Sequence, residues 1–131
     1  VFNAYSESKQ FRVYLDPKEE IMKRYVESEI SVVIKPLISR SPKQKIAIKE
    51  KSKDKIYVPP LEKILVDVYS DAVTFYALQG SEMDNLYNNA LKRYQINFTK
   101  LISYARRRNK EELIKSYLEK NFGELVKDIL R

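Results

Sequence analysis

The chain of 131 residues contains no cysteine, no histidine and no tryptophan. Without cysteine there are no disulfides, thiolate nucleophiles or cysteine-ligated metals, which fits a reducing compartment. Without histidine, Ser-His-Asp and Cys-His catalysis and histidine-containing zinc sites are excluded as well. An enzyme with this composition would have to use carboxylates, lysine, tyrosine or serine.

Chain breakers and long apolar runs are also scarce. There are two glycines and five prolines against ten tyrosines and five phenylalanines, a composition that predicts a folded domain. No apolar run reaches the roughly 18 residues needed to span a bilayer, and no signal peptide opens the chain. We therefore expect a soluble, cytoplasmic protein without a membrane partner.

The length predicts a single domain over residues 1–131, with a strand-rich half at 1–58 and a helical half at 59–131. The chain begins Val1-Phe2-Asn3 without an initiator methionine, so we expect the C-terminal fragment of a longer protein. The order of elements predicts an α+β fold: a small N-terminal β-sheet with one helix, packed on a C-terminal set of four to five α-helices.

Two strands, a helix between them and a hairpin are predicted in the first half. Alternating apolar residues predict a strand at 11–15, and a β-branched run predicts another over 30–38. Between them, Asp16 is a candidate helix cap. Short strands at 46–48 and 56–58 flank a polar turn and predict the hairpin.

Helical periodicity begins after Pro59-Pro60 and continues nearly to the end of the chain. Ser81, Asn97 and Asn109 are candidate N-caps, and Gly123 is expected to break the last long helix. The helical period predicts these buried positions: Leu61, Ile64, Leu65, Leu86, Leu91, Leu101, Ile102 and Leu113.

The net charge of +7 is concentrated in two basic blocks. Residues 39–55 carry seven basic side chains against two acidic ones, and residues 92–110 carry seven with no acidic one. The first block is either a solvated loop or a phosphate-binding patch. The second contains Arg106-Arg107-Arg108, which either complement the negative end of a helix or contact a partner. Candidate binding residues for a partner, DNA or RNA are Lys35, Arg40, Lys43, Lys45, Arg93, Arg106, Arg107 and Arg108.

An enzymatic alternative is a metal-dependent nuclease or its degenerate relative. Acid-x-Lys spacings occur at 7–9 and at 50–53, and carboxylates with a lysine are the groups such an enzyme uses. No partner aspartate on a buried strand completes the arrangement, and no glycine-rich phosphate loop is present. We therefore predict a non-enzymatic domain without cofactor, metal site or catalytic residue.

Several short sequence motifs, in this order along the chain, resemble those of bacterial AbiEi-type antitoxins. They are Ile34–Ser39, Val58–Asp67, Gln79–Glu82, Asn89-Ala90, Tyr94–Asn97 and Tyr104–Arg108. The resemblance covers about residues 30–118 and includes no catalytic signature. We expect structural roles for the motif residues Glu62, Lys63, Asp67, Gly80, Glu82, Asn97 and Tyr104.

The resemblance implies a regulatory domain that follows a winged helix-turn-helix in the full protein. Such proteins repress their own transcription and act as antitoxins of type IV systems. They counter a nucleotidyltransferase-like toxin without forming a stable complex with it. No winged-helix segment is evident in this sequence, so the resemblance predicts the antitoxin domain alone.

Overall fold

A computed structural model describes residues 12–26, 30–50 and 53–130 of the chain. It has the predicted α+β fold, with short strands in the first half and helices in the second. The described residues up to Leu37 form one compact unit, and those from Ile38 onward form another. The division therefore falls at 37–38, and the hairpin belongs to the same unit as the long helices.

The first unit is a pair of parallel strands joined through a helix. Strand β1, Arg12–Leu15, pairs with β2, Ser31–Ile34, in a register that places Val13 opposite Val32. Parallel neighbours require a crossover connection. Helix α1, Glu19–Ile21, provides it and continues as a π-helical turn, Met22–Val26, in which Met22 is buried.

The expected helix cap at Asp16 is wrong. Asp16 has a positive φ of 42° at the end of β1, and Lys18 precedes the first helical residue. The carboxylate is instead paired with Lys35 at 3.1 Å. Asp16 thus belongs to the strand end, where a left-handed backbone turns the chain.

The predicted hairpin opens the second unit. Strand β3, Gln44–Ala47, pairs antiparallel with β4, Lys55–Val58. In the described residues these strands form a second two-stranded sheet, so the predicted N-terminal strands are divided between two small sheets. We call β3–β4 the ribbon. All four residues of β3 and three of the four in β4 are exposed.

The helices that follow are α2, Leu61–Ser70; α3, Ser81–Arg93; α4, Phe98–Arg107; and α5, Glu111–Val126, with a 3₁₀ turn at Tyr76–Leu78 between α2 and α3. Asn97 caps α4 as predicted, since its side chain accepts a hydrogen bond from the Lys100 amide at 3.0 Å. None of the described helices is long and apolar enough to cross a membrane.

The other two predicted N-caps are wrong. Ser81 is already helical, and Gly80 precedes it with φ 63° and ψ −131°, a conformation that strongly favours glycine. Asn109 follows the end of α4 with φ 56°, and Lys110 precedes α5. Asparagine tolerates this left-handed region, which explains how the same residue type can end one helix instead of starting the next.

The core of the second unit combines residues from α2 to α5: Leu65, Val66, Tyr87, Ala90, Leu101, Tyr104, Ala105, Ile114, Leu118, Phe122 and Val126. Leu65 and Leu101 were predicted correctly. Four further predicted positions, Leu61, Leu86, Leu91 and Ile102, pack against this core while partly buried.

Two predicted core positions are wrong, because each helix turns a neighbouring residue inward. Ile64 is 39% exposed and Leu113 is 54% exposed. On α2 the polar Glu62 is buried in line with Leu65 and Val66, which rotates the inner face away from Ile64. On α5 the buried positions recur every four residues from Ile114, so Leu113 lies beside them.

Tyr87 of α3 lies at the centre of an aromatic cluster with α5. Its ring meets Tyr117 edge-on at 5.1 Å and stacks with Phe122 at 6.3 Å between centroids. The buried hydroxyl donates to the Leu65 carbonyl at 2.7 Å, and burial raises the pKa of Tyr87 well above its usual range. Near the predicted break at Gly123, α5 kinks at Phe122 but remains helical to Val126.

Candidate nucleic-acid interface

The two faces of the ribbon have different chemistry. Opposite residues of an antiparallel pair share a face, and successive residues along a strand alternate between faces. The pairs Ile46–Ile56 and Gln44–Val58 therefore share one face, which is mostly apolar. The pairs Lys45–Tyr57 and Ala47–Lys55 share the other.

We define the basic face of the ribbon as Lys43, Lys45, Lys55 and Tyr57. The Lys43 and Lys45 ammonium groups lie 5.0 and 5.1 Å from the centroid of the Tyr57 ring, which is 61% exposed. Throughout the described part of the chain, no carboxylate is within ion-pair distance of these three lysines. The face thus presents three cations, two of them beside an exposed aromatic ring.

The segment just before the ribbon is fixed to α4. Ser41 is buried, its hydroxyl donates to the Ile38 carbonyl at 2.5 Å, and it also lies beside the Tyr104 phenol. Arg40, with a positive φ of 55°, is the exposed residue next to it. The contact between Ser41 and Tyr104 therefore brings the start of the first basic block next to the helix that carries the second.

The three consecutive arginines have three different environments. Arg106 makes two hydrogen bonds to the Glu111 carboxylate, at 2.5 and 2.8 Å. Arg107 is exposed and, among the described residues, has no ion pair. The Arg108 side chain is only 17% exposed, and its Nε lies 4.0 Å from Asp67. Arg106 is exposed as well, so Arg107 is distinguished from it by having no ion pair in the described part of the chain.

Glu111 is the centre of a small ion-pair cluster at the start of α5. Lys115 donates to the same carboxylate at 2.8 Å, so two cations share one acid. The hydrogen bond from Arg106, followed by that from Lys115, lowers the pKa of Glu111 to about 2. The Arg106 guanidinium is therefore already bound to a carboxylate of the same chain.

A polar network joins α2 to α4. Lys63 forms an ion pair with Asp67, the other oxygen of Asp67 accepts a hydrogen bond from the Tyr104 hydroxyl at 2.7 Å, and the Lys63 ammonium lies 5.3 Å from the Tyr104 ring centroid. Burial and the bond to Asp67 raise the pKa of Tyr104, while Ser41 and Lys63 act in the opposite direction. Three motif residues thus meet, although Tyr104 is 37 residues from Asp67 in sequence.

Glu62 makes a second link between the same helices. Glu62 is only 8% exposed, and its carboxylate accepts a hydrogen bond from the Asn97 backbone amide at 2.8 Å. Asn97 in turn caps α4, so Glu62 fixes the point at which that helix begins. Of the remaining motif residues, Gly80 provides the turn before α3, and Glu82 is exposed in its first helical turn.

The candidate binding residues are distributed over several elements of the two units. Lys35 lies in the first unit, paired with Asp16, and Arg93 is exposed in the last turn of α3. Tyr57 and Ser41 were missed by the sequence analysis. The alternation of Lys43 and Lys45 along a strand pointed to a shared face, but only the strand register brings Tyr57 between them.

The nuclease alternative has no further support among the described residues. In that part of the chain, no group of three or more acidic side chains could hold a metal ion. The acid-x-Lys spacing at 7–9 lies outside the described residues, and so does the middle of the one at 50–53. The hypothesis stays a prediction.

Comparison with known proteins places the chain in a family without assigning an activity. A family model described as "Family of unknown function (DUF6577)" matches residues 1–124, and the chain therefore belongs to this family. No curated protein matches it significantly. No solved structure does either.

Proposed function

We propose that this member of DUF6577 is a non-enzymatic regulatory domain that binds nucleic acid through the basic face of its ribbon. The observation that carries the proposal is the position of Lys43 and Lys45 beside the exposed ring of Tyr57, with Lys55 on the same face of the ribbon. In the described residues no neutralising carboxylate is within ion-pair distance of these lysines. Solubility alone does not require an exposed tyrosine between lysines.

The two kinds of side chain on this face complement the two parts of a nucleic acid. Lysines that neutralise phosphates release counterions, which supplies affinity that is independent of sequence. An exposed aromatic ring offers a surface on which a base stacks. A two-stranded ribbon is also narrow enough to enter the major groove of a duplex. The exposed Arg107 at the end of α4 is a further candidate for phosphate contact.

The salt dependence of binding tests this proposal. We expect log K for a short DNA or RNA to fall linearly with log salt, and the triple substitution of Lys43, Lys45 and Lys55 by glutamine to reduce that slope by about 3. Lys120→Gln is the matched control, since Lys120 is an exposed lysine on α5. Equal slopes for the triple variant and the native chain would contradict the proposal.

Tyr57 distinguishes single-stranded from duplex ligands. If a base stacks on its ring, Tyr57→Ala should weaken single-strand binding by about 1–3 kcal/mol, and Tyr57→Phe should preserve it. A duplex held only through its phosphates should be insensitive to both changes. Fluorescence anisotropy with matched single- and double-stranded oligonucleotides separates the two outcomes.

The antitoxin role implied by the resemblance is a second proposal. It is supported by hydrogen bonds between the motifs that carry the resemblance. Glu62 accepts one from Asn97, and Asp67 accepts one from Tyr104. Residues separated by more than thirty positions thus form one set of contacts between α2 and α4. Such a set is what a shared structural signature requires, although it carries no activity by itself.

Co-expression tests the antitoxin proposal. The full-length protein should restore growth of cells that express a nucleotidyltransferase-type toxin encoded beside it, without co-purifying with that toxin. Failure to restore growth, or the absence of such a neighbouring gene, would reject this role. Nucleic-acid binding by the ribbon would be unaffected by either result.

A further inference from the structure

Arg108 is a largely buried cation whose side chain has no hydrogen-bond partner among the described residues. The side chain is 17% exposed, and in the described part of the chain its guanidinium makes no side-chain hydrogen bond. Asp67 is the carboxylate that the described residues place near it, with Oδ1 4.0 Å from Nε, which is beyond hydrogen-bonding distance. A guanidinium has five N–H donors, so most of its bonding capacity is unused by the protein.

Asp67 is already committed to other partners. One of its oxygens is held by Lys63, and the other accepts from Tyr104 at 2.7 Å. The cluster formed by Lys63, Asp67 and Arg108 thus contains two cations and one anion, all with side chains less than one fifth exposed. Among the described residues, none of the unpartnered Arg108 nitrogens is completely buried, so they remain open to a ligand from solvent. A net positive charge in a partly buried position is screened less than one on the open surface, so the cluster favours a bound anion.

We propose that Arg108 is the centre of a binding site for a phosphate-type oxyanion, with Lys63 as the second cation. The planar fork of a guanidinium matches two oxygens of a phosphate, which makes arginine the side chain best suited to this ligand. Tyr104 lies one helical turn before Arg108 and contacts Ser41. Ser41 in turn follows Arg40, whose exposed side chain adds positive charge to this region.

The site shares no residue with the basic face of the ribbon and does not depend on the proposed function. A free phosphate, a nucleotide phosphate and a backbone phosphate of nucleic acid all present the same oxygens to Arg108. The shared prediction is therefore oxyanion binding, and the source of the phosphate is a second question for the experiment.

A titration of the native chain with inorganic phosphate, at constant ionic strength in chloride, tests the shared prediction. The Nε–Hε NMR signals of Arg107 and Arg108, assigned with Arg107→Lys and Arg108→Lys, report directly on the two guanidinium groups. We expect the Arg108 signal to shift in a saturable way, with a Kd in the millimolar range, and the exposed Arg107 signal to shift little. A linear, equal response of both signals up to 50 mM phosphate, roughly fifty times a 1 mM Kd, would overturn the proposal.

Substitution provides an independent measurement. Arg108→Gln should weaken phosphate binding about tenfold, while Arg107→Gln, which removes the same charge from the same helix end, should leave it nearly unchanged. Thermal unfolding identifies any loss that reflects misfolding, and the native-chain titration decides the question in that case. Equal weakening by both variants would count against a defined site.

Competition identifies the source of the phosphate. If an oligonucleotide displaces phosphate from Arg108 in the native chain, the site supports oxyanion binding and takes the nucleic-acid backbone. If phosphate binds and the oligonucleotide does not compete, the site supports oxyanion binding and takes a small phosphorylated ligand. Because the phosphate titration uses no nucleic acid, failure of the ribbon proposal and failure of this one give different results.

Discussion

Replacing Asp67 by asparagine tests whether the network between α2 and α4 stabilises the fold. The substitution keeps the shape and an acceptor for Tyr104 but removes the negative charge that faces Lys63. The two ion-paired side chains are only 13% and 19% exposed, so water screens them less than it does a surface pair. A hydrogen bond to a charged group contributes about 1.5–3 kcal/mol, and breaking a fully buried ion pair costs about 3–5 kcal/mol. We expect Asp67→Asn to lower the free energy of unfolding by about 2 kcal/mol.

Urea unfolding measures this loss, and Asp84→Asn is its matched control. Asp84 also accepts a hydrogen bond from a tyrosine, Tyr117, at 2.6 Å, but it lies at an exposed position. We expect no more than about 1 kcal/mol there. A double-mutant cycle with Tyr104→Phe should show that Asp67 and Tyr104 are coupled. A loss at Asp67 of less than about 0.5 kcal/mol, or no larger than the loss at Asp84, would refute the reasoning.

Three further predictions follow from the geometry. Leu65→Ala should cost about 2–5 kcal/mol in urea unfolding because the side chain is fully buried, whereas Ile64→Ala at the exposed neighbour should cost less than about 1 kcal/mol. Gly80→Ala should cost about 1–3 kcal/mol, since its backbone conformation is strained for other residues even though space for a methyl group is open. In an NMR pH titration, the Glu111 carboxyl should titrate near pH 2 and move back toward its ordinary pKa of 4.5 in Arg106→Gln. Its stabilising contribution should therefore be present above pH 4.5 and be lost as the pH falls toward 2; a Glu111 pKa near 4.5 in the native chain would contradict this.

The order and type of the elements could be predicted because they depend on local pattern. Alternation in the first half and a period of three to four residues after Pro60 specified strands and helices before any contact was known. The Asn97 cap could be found as well, since its acceptor and the Lys100 amide are three residues apart. The predicted caps at Ser81 and Asn109 are wrong because Gly80 and Asn109 have positive φ values. Gly80 therefore precedes α3, and Lys110 precedes α5.

Which face of a helix is buried was decided by tertiary packing. The apolar stripe of α2 predicted that Ile64 is buried, but the buried face includes Glu62 instead. The cost of burying this polar residue is offset by its hydrogen bond from the Asn97 backbone amide. That partner is 35 residues away in sequence. The apolar pattern alone therefore predicted a buried face of α2 that is rotated by about one residue from the observed one.

The sequence by itself excluded cysteine and histidine chemistry and located the two basic blocks, since both follow from composition. It could not distinguish Arg106, Arg107 and Arg108, which are identical and consecutive. Only the tertiary structure assigns one to Glu111, one to solvent and one to the neighbourhood of Asp67. The physical reason is that charge belongs to a residue type, whereas the exposure and the partner of that charge depend on elements brought together from distant parts of the chain.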